Sequence, residues 1–178
     1  LLDSRELFRQ NDREQLTTEL ERLMSQVDED DLEQQMERLR QFRRTEIFKL
    51  AATDDIHVHE IWDVGAKLST IADVVLEKVF QLSWDAVCKR HGIPVCYIDE
   101  EEYHPGMSII AYGKLGGLEM GYGSDLDIVF LHDSSGQNQH TNGEKSIDNS
   151  QFFSRVAQKV LHLLGTRTHS GILYEADT

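Results

Sequence analysis

With 178 residues, 39% of them hydrophobic and 28% charged, the chain has the size and composition of one ordinary globular domain, or of a small domain with an appendage. Its 32 acidic residues against 18 basic ones leave a net charge of −14. That balance counts against gripping nucleic acid or lying on an anionic membrane, both of which draw on Lys and Arg. No run approaches the about 18 apolar residues of a transmembrane helix, and only two prolines suit long uninterrupted helices. Cys88 and Cys96 have neither metal-site nor disulfide spacing and read as plain thiols of a reducing cytoplasm. The first residue, Leu1, and the last, Thr178, both read as cuts within a longer polypeptide.

In chain order, residues 1–105 read as helical and 106–178 as a compact unit of strands and a helix. Leu16, Leu20, Leu23 and Val27 recur at helical spacing. After the acidic run from Asp28 to Asp31, Asp30 followed by Glu33 looks like a start signal. Leu32, Met36, Leu39 and Phe42 then form an apolar stripe that Ile47, Leu50 and Ala51 extend. Thr70 and Asp73 have capping-box spacing, so a helix is expected from Ser69 or Thr70, with Ile71, Val74, Val75, Val79, Leu82 and Ala86 on one face. Gly92 and Pro94 stop it. Asp99 to Glu102, with Pro105 and Gly106, read as a charged link.

Beyond the link, Met107 to Tyr112 predicts a buried strand and Leu126 to Leu131 a second one, dense in Ile, Val and Phe. Between them Gly113 to Ser124 is too rich in glycine for one regular element. Residues 133–147 are polar and predict a loop. Asp148 with Gln151 starts an amphipathic helix carrying Phe153, Val156, Val160 and Leu164 and ending at Gly165. Gly171 to Asp177 predicts a third strand. The fold class expected is therefore α+β, a small sheet unit on a helical platform.

Asp125 and Asp127, one residue apart at the start of a strand, project from the same face, while Leu126 and Ile128 point into a core. Two carboxylates on one face make a site for a hard divalent cation such as Mg²⁺, which is held by one or two carboxylates together with substrate phosphates. The Gly113-Lys114-Leu115-Gly116-Gly117 run lets backbone N–H groups approach phosphate oxygens, and Lys114 adds positive charge. Taken singly, each motif is also compatible with a capped turn, a solvated strand residue or a tight domain edge.

The run Ala-Tyr-Gly-Lys-Leu-Gly-Gly-Leu-Glu-Met-Gly-Tyr-Gly-Ser-Asp-Leu-Asp-Ile-Val-Phe-Leu, residues 111–131, closely resembles the glutamine synthetase adenylyltransferase and adenylyl-removing family. Residues 166–177, Thr-Arg-Thr-His-Ser-Gly-Ile-Leu-Tyr-Glu-Ala-Asp, resemble the same family's next landmark. The resemblance implies a polymerase-beta-like nucleotidyltransferase core, here truncated at its end. Metal and catalytic carboxylates would be Asp125, Asp127 and Asp177, with Glu175 as the alternative third acid. Gly113, Lys114 and Ser124 would face the nucleotide, although Lys114 stands where the superfamily has a small Gly or Ser. It further implies Mg²⁺ or Mn²⁺, ATP as AMP donor, a tyrosine of glutamine synthetase as acceptor, the PII signal protein as regulatory partner, and a cytoplasmic setting. The variant resembles the adenylylating, C-terminal half; the adenylyl-removing half, a non-catalytic interaction module and, more distantly, a nucleic-acid polymerase are the alternatives.

Other polar groups carry weaker patterns. Asp54, Asp55, His57, His59 and Glu60 cluster in sequence, but on a helix His57 and His59 do not share a face. His104, His132, His140, His162 and His169 show no metal or triad spacing. Arg167 and Ser170 precede the third strand within reach of a phosphate, and Trp62 and Trp84 sit in helical patterns as core residues.

Overall fold

The computed structural model describes residues 12–54, 61–168 and 170–178. It opens with helix α1, Arg13–Met24, whose N-cap Asp12 forms a capping box with Gln15 and whose Leu16, Leu20 and Met24 are buried. Helix α2, Leu32–Asp54, is started by Asp31 rather than Asp30: the Asp31 carboxylate accepts from the Gln34 N–H at 3.0 Å. Asp30 instead pairs with Lys89. Helix α3 spans Ile61–His91, so the start expected at Ser69 or Thr70 lies well inside it. Both hydroxyls bond back to carbonyls four residues earlier, Ser69 to Gly65 and Thr70 to Ala66, each at 2.9 Å. Asp73 is taken by Arg13 of α1, 3.0 Å away. Trp62 has a side chain outside the described residues.

At the end of the stretch read as helical, and into the expected charged link from Asp99, the chain instead forms a hairpin of β1, Pro94–Ile98, and β2, Glu101–Tyr103. Its two turn residues, Asp99 and Glu100, have φ of 52° and 67°, the left-handed pair that matches strand twist in a two-residue turn. The polar stretch expected as a loop contains β5, Gln137–Thr141, which pairs antiparallel with β1 at a sheet edge, giving the order β2-β1-β5.

The second sheet carries the strands the sequence predicts. β3, Met107–Ala111, runs antiparallel to β4, Leu126–His132, and β4 pairs in parallel with β6, Ala176–Asp177. β3 is half-buried rather than buried, since Ser108 and Ile110 face solvent. The expected third strand is paired only at its last two residues; before them the Leu173 and Tyr174 N–H groups both donate to the Leu164 carbonyl, at 3.0 and 3.1 Å. A one-turn helix, α4 (Gly113–Gly116), follows β3. Helix α5, Asn149–Gly165, is capped by Asp148 as predicted, accepting from the Ser150 N–H at 2.8 Å.

Helices and strands form an α+β architecture around one hydrophobic cluster that runs from Leu16 of α1 through Leu126 and Ile128 of β4 to Tyr174. Against it packs the partly buried Trp84, which meets Phe152 edge-on, ring centroids 5.1 Å apart, and Phe153 at 6.2 Å. Phe152→Ala is expected to cost about 3–5 kcal/mol in urea unfolding, because Phe152 is fully buried. Phe48→Ala, at a side chain 60% exposed, should change stability by less than about 0.5 kcal/mol in the same measurement.

Candidate functional site

Alternation along β4 fixes the first part of the site. Leu126 and Ile128 are fully buried on one face, which turns Asp127 to the other, and Asp125 immediately precedes the strand. Parallel pairing supplies the second part: the Leu126 N–H donates to the Glu175 carbonyl at 2.9 Å, Leu126 lies opposite Ala176, and Asp127 lies opposite Asp177. One carboxylate oxygen from each of Asp125, Asp127 and Asp177 consequently lies within 4.8 Å of the others. Glu175, the alternative third acid, is not in this group and contributes its backbone carbonyl instead.

The glycine-rich turn packs directly against the second carboxylate. Gly113 adopts φ +57°, and a Cβ there would sit 2.1 Å from Asp127 Oδ2. Only a residue without a side chain allows that approach. The Tyr112 N–H donates to the Asp127 carbonyl at 3.0 Å, tying the start of α4 to β4. Lys114 follows, its Nζ 3.9 Å from Asp125 Oδ1, both side chains well exposed. Ser124 closes the turn ahead of Asp125: its hydroxyl accepts from the Gly121 N–H at 2.9 Å and its own N–H donates to the Gly121 carbonyl at 3.1 Å.

The remaining candidates do not converge here. Ser170 donates its hydroxyl to Glu37 of α2, and Arg167 is exposed. His104 pairs with Glu102 at 3.3 Å, His132 stacks on Phe153 at 4.4 Å, and His162 meets the Thr166 hydroxyl at 3.3 Å. Among the described residues His140 likewise joins no group of metal-binding side chains. Asp55, His57, His59, Glu60, His169 and the side chain of Asp54 lie outside the described residues. Trp84, expected in the core, is partly buried and packs against it. Both cysteines are free thiols, and burial together with Asp85 pushes the Cys88 thiol up to about 11, which leaves it an inert packing group at neutral pH. No helix among the described residues is long and apolar enough to cross a membrane.

Sequence reasoning missed Arg40. It is 2% exposed, and its guanidinium donates to the Gly171 carbonyl at 3.0 Å and the Thr166 carbonyl at 2.6 Å, in the segment leading to Asp177. The available signal was its spacing: four residues after Met36, it stands on the apolar face of α2 rather than the solvent face.

The whole chain, residues 1–178, matches the family model described as glutamate-ammonia ligase adenylyltransferase. It is 54% identical over its full length to the bifunctional glutamine synthetase adenylyltransferase/adenylyl-removing enzyme of Thioalkalivibrio sulfidiphilus, of which it covers 18%. The corresponding enzymes of Shewanella frigidimarina and Shewanella loihica are 42% and 44% identical over 99% of the chain, which covers 18% and 19% of them. The chain thus spans about a fifth of the length of the curated relatives it matches.

Gly113→Ala is expected to lower the melting temperature, since it adds both a left-handed strain and a collision with Asp127 Oδ2. Gly123→Ala, where an added Cβ meets nothing within 4 Å, should not. In an Asp127→Ala background the Gly113 penalty should shrink, and an equal penalty in both backgrounds, read by thermal unfolding, would refute the contact.

Proposed function

Because the chain belongs to the glutamate-ammonia ligase adenylyltransferase family, we propose that it carries a nucleotidyltransferase centre that moves AMP from ATP to a tyrosine of glutamine synthetase. The observation that carries this reading is the convergence of Asp125, Asp127 and Asp177, with one oxygen of each inside 4.8 Å. An all-oxygen donor set of that size suits a hard cation, Mg²⁺ or Mn²⁺, over softer metals. Gly113 supports the fit, because the space beside Asp127 stays clear only without a Cβ. Asp125, Asp127 and Asp177 would hold the cation. Bound there, it supplies positive charge against the ATP phosphates and lowers the cost of forming a phenolate.

The chain's own groups then have distinct tasks. The tight turn at Gly113 brings backbone close to the carboxylates, and Lys114 gives the phosphates a cationic neighbour. Ser124 holds the turn that presents Asp125. A tyrosine hydroxyl has an ordinary pKa near about 10 and needs a base in reach. Asp177, the most exposed acid of the three, is placed to take that proton. The phenolate oxygen bonds to the α-phosphorus as the bond to the bridging oxygen breaks. Pyrophosphate leaves with that electron pair, and the proton rests on Asp177.

The acceptor reading agrees with charge. A net charge of −14 counts against a polynucleotide acceptor, whereas a protein tyrosine needs no basic surface to dock. Asp127→Asn is expected to keep or raise the melting temperature of the cation-free protein, by relieving like-charge repulsion. In the full-length enzyme it should also abolish Mg²⁺-dependent transfer of label from α-labelled ATP to glutamine synthetase. Transfer by the variant at the unmutated rate would sink the assignment.

A further inference from the structure

β6 has only two paired residues, Ala176 and Asp177, so its own ladder is too short to fix where Asp177 points. The position must come from the segment that leads into it. That segment is held from helix α2. Arg40 Nε donates to the Gly171 carbonyl at 3.0 Å and Arg40 Nη2 to the Thr166 carbonyl at 2.6 Å. One turn earlier on α2, Glu37 accepts from the Ser170 hydroxyl. On the other side, the Arg43 guanidinium lies 4.2 Å over the ring of buried Tyr174. The next residue, Glu175, gives its carbonyl to the Leu126 N–H, and Asp177 then falls opposite Asp127.

Stability alone does not account for Arg40. The side chain is 2% exposed and its third guanidinium nitrogen, Nη1, is buried with no hydrogen-bond partner among the described residues. Burying a charge that is incompletely bonded is costly, and an apolar residue of similar volume is often as good for the fold. What a planar guanidinium offers in return is two directed donors in fixed relation to one another. Here those donors fix two carbonyls five residues apart on the segment that delivers the third acid.

We propose that Arg40 is a positioning residue for Asp177: by clamping the Thr166 and Gly171 carbonyls to α2 it sets the register of β6 and completes the three-carboxylate cluster. The inference rests on the reading of Asp125, Asp127 and Asp177 as a divalent-cation site. It makes the helical part of the chain a component of that site, acting through backbone geometry and without touching the cation or the substrate.

The test uses the 178-residue chain and Mn²⁺ alone, titrated by electron paramagnetic resonance, with thermal unfolding of each variant. Arg40→Met should weaken Mn²⁺ binding by about tenfold or more, the scale on which supporting groups act on metal affinity. Its melting temperature should stay close to that of the unmutated chain or rise. In an Asp177→Asn background the same substitution should change Mn²⁺ affinity by less than about twofold, because the group it positions is gone. Should Arg40→Met not fold, Arg40→Lys decides: it keeps the charge but not the paired donors, and should lose affinity in the same background-dependent way. Full Mn²⁺ affinity in the folded variant, or an equal loss in both backgrounds, overturns the role of Arg40 while leaving the cation site standing. Absence of Mn²⁺ binding by the unmutated chain removes the site itself.

Discussion

Three carboxylates within 4.8 Å of one another repel, and much of the local structure resists that repulsion. At about 4 Å and an effective dielectric near 20, two like charges cost roughly 4 kcal/mol. The opposing contribution comes from behind the acids. Leu126 and Ile128 are fully buried, and each such burial contributes about 1.5–3 kcal/mol. Strand alternation links the two effects, because residues 126 and 128 cannot enter the core without turning 127 to the opposite face. Partial exposure of Asp125 and Asp127 and the greater exposure of Asp177 let water screen what remains. The cluster is thus tolerable in the fold as it stands.

The same reasoning explains why the helices bear on the site. β4 is held by its own burial and by β3 across five paired residues, whereas β6 has two. Delivery of Asp177 falls to the lead-in, which α5 grips through the Leu164 carbonyl and α2 through Glu37, Arg40 and Arg43. Helix α3 approaches from another side: a Cβ on Gly65 would stand 3.2 Å from the Leu118 carbonyl, in the stretch between α4 and β4. Both flanks of the carboxylate cluster therefore lean on helices that carry none of its acids.

Elements whose signals are local could be read from sequence. Asp148 announces α5 because its carboxylate bonds an N–H two residues on, and β4 shows itself by the alternation that also pairs Asp125 with Asp127. Elements that depend on distant partners could not. Gln137–Thr141 has no apolar face and becomes a strand only because β1, some forty residues earlier, offers it an edge. Asp99 and Glu100 make a left-handed two-residue turn without the Asn-Gly or Asp-Gly chemistry that marks one. Ser69 and Thr70 mimic a helix start, yet both satisfy their hydroxyls inside α3. The third acid is an intermediate case. Family resemblance singles out Asp177, but its meeting with Asp127 depends on a backbone path that runs past a buried arginine on another helix.

Lys114 replaces the small residue of the superfamily pattern, and its geometry limits what it can do. Among the described residues it is the cation paired with the cluster, at 3.9 Å from Asp125, and both side chains are about half exposed. An ion pair in that setting contributes between about 0 and 1 kcal/mol. That is too little to neutralise three crowded carboxylates, so Lys114 does not fill the place of a divalent ion. Its ammonium sits beside Asp125, the acid farthest in sequence from Asp177, and leaves the Asp127–Asp177 side uncompensated. The larger side chain therefore lowers the repulsion at one corner without closing the cluster. The lysine charge thus stands at the rim of the three carboxylates and not among them.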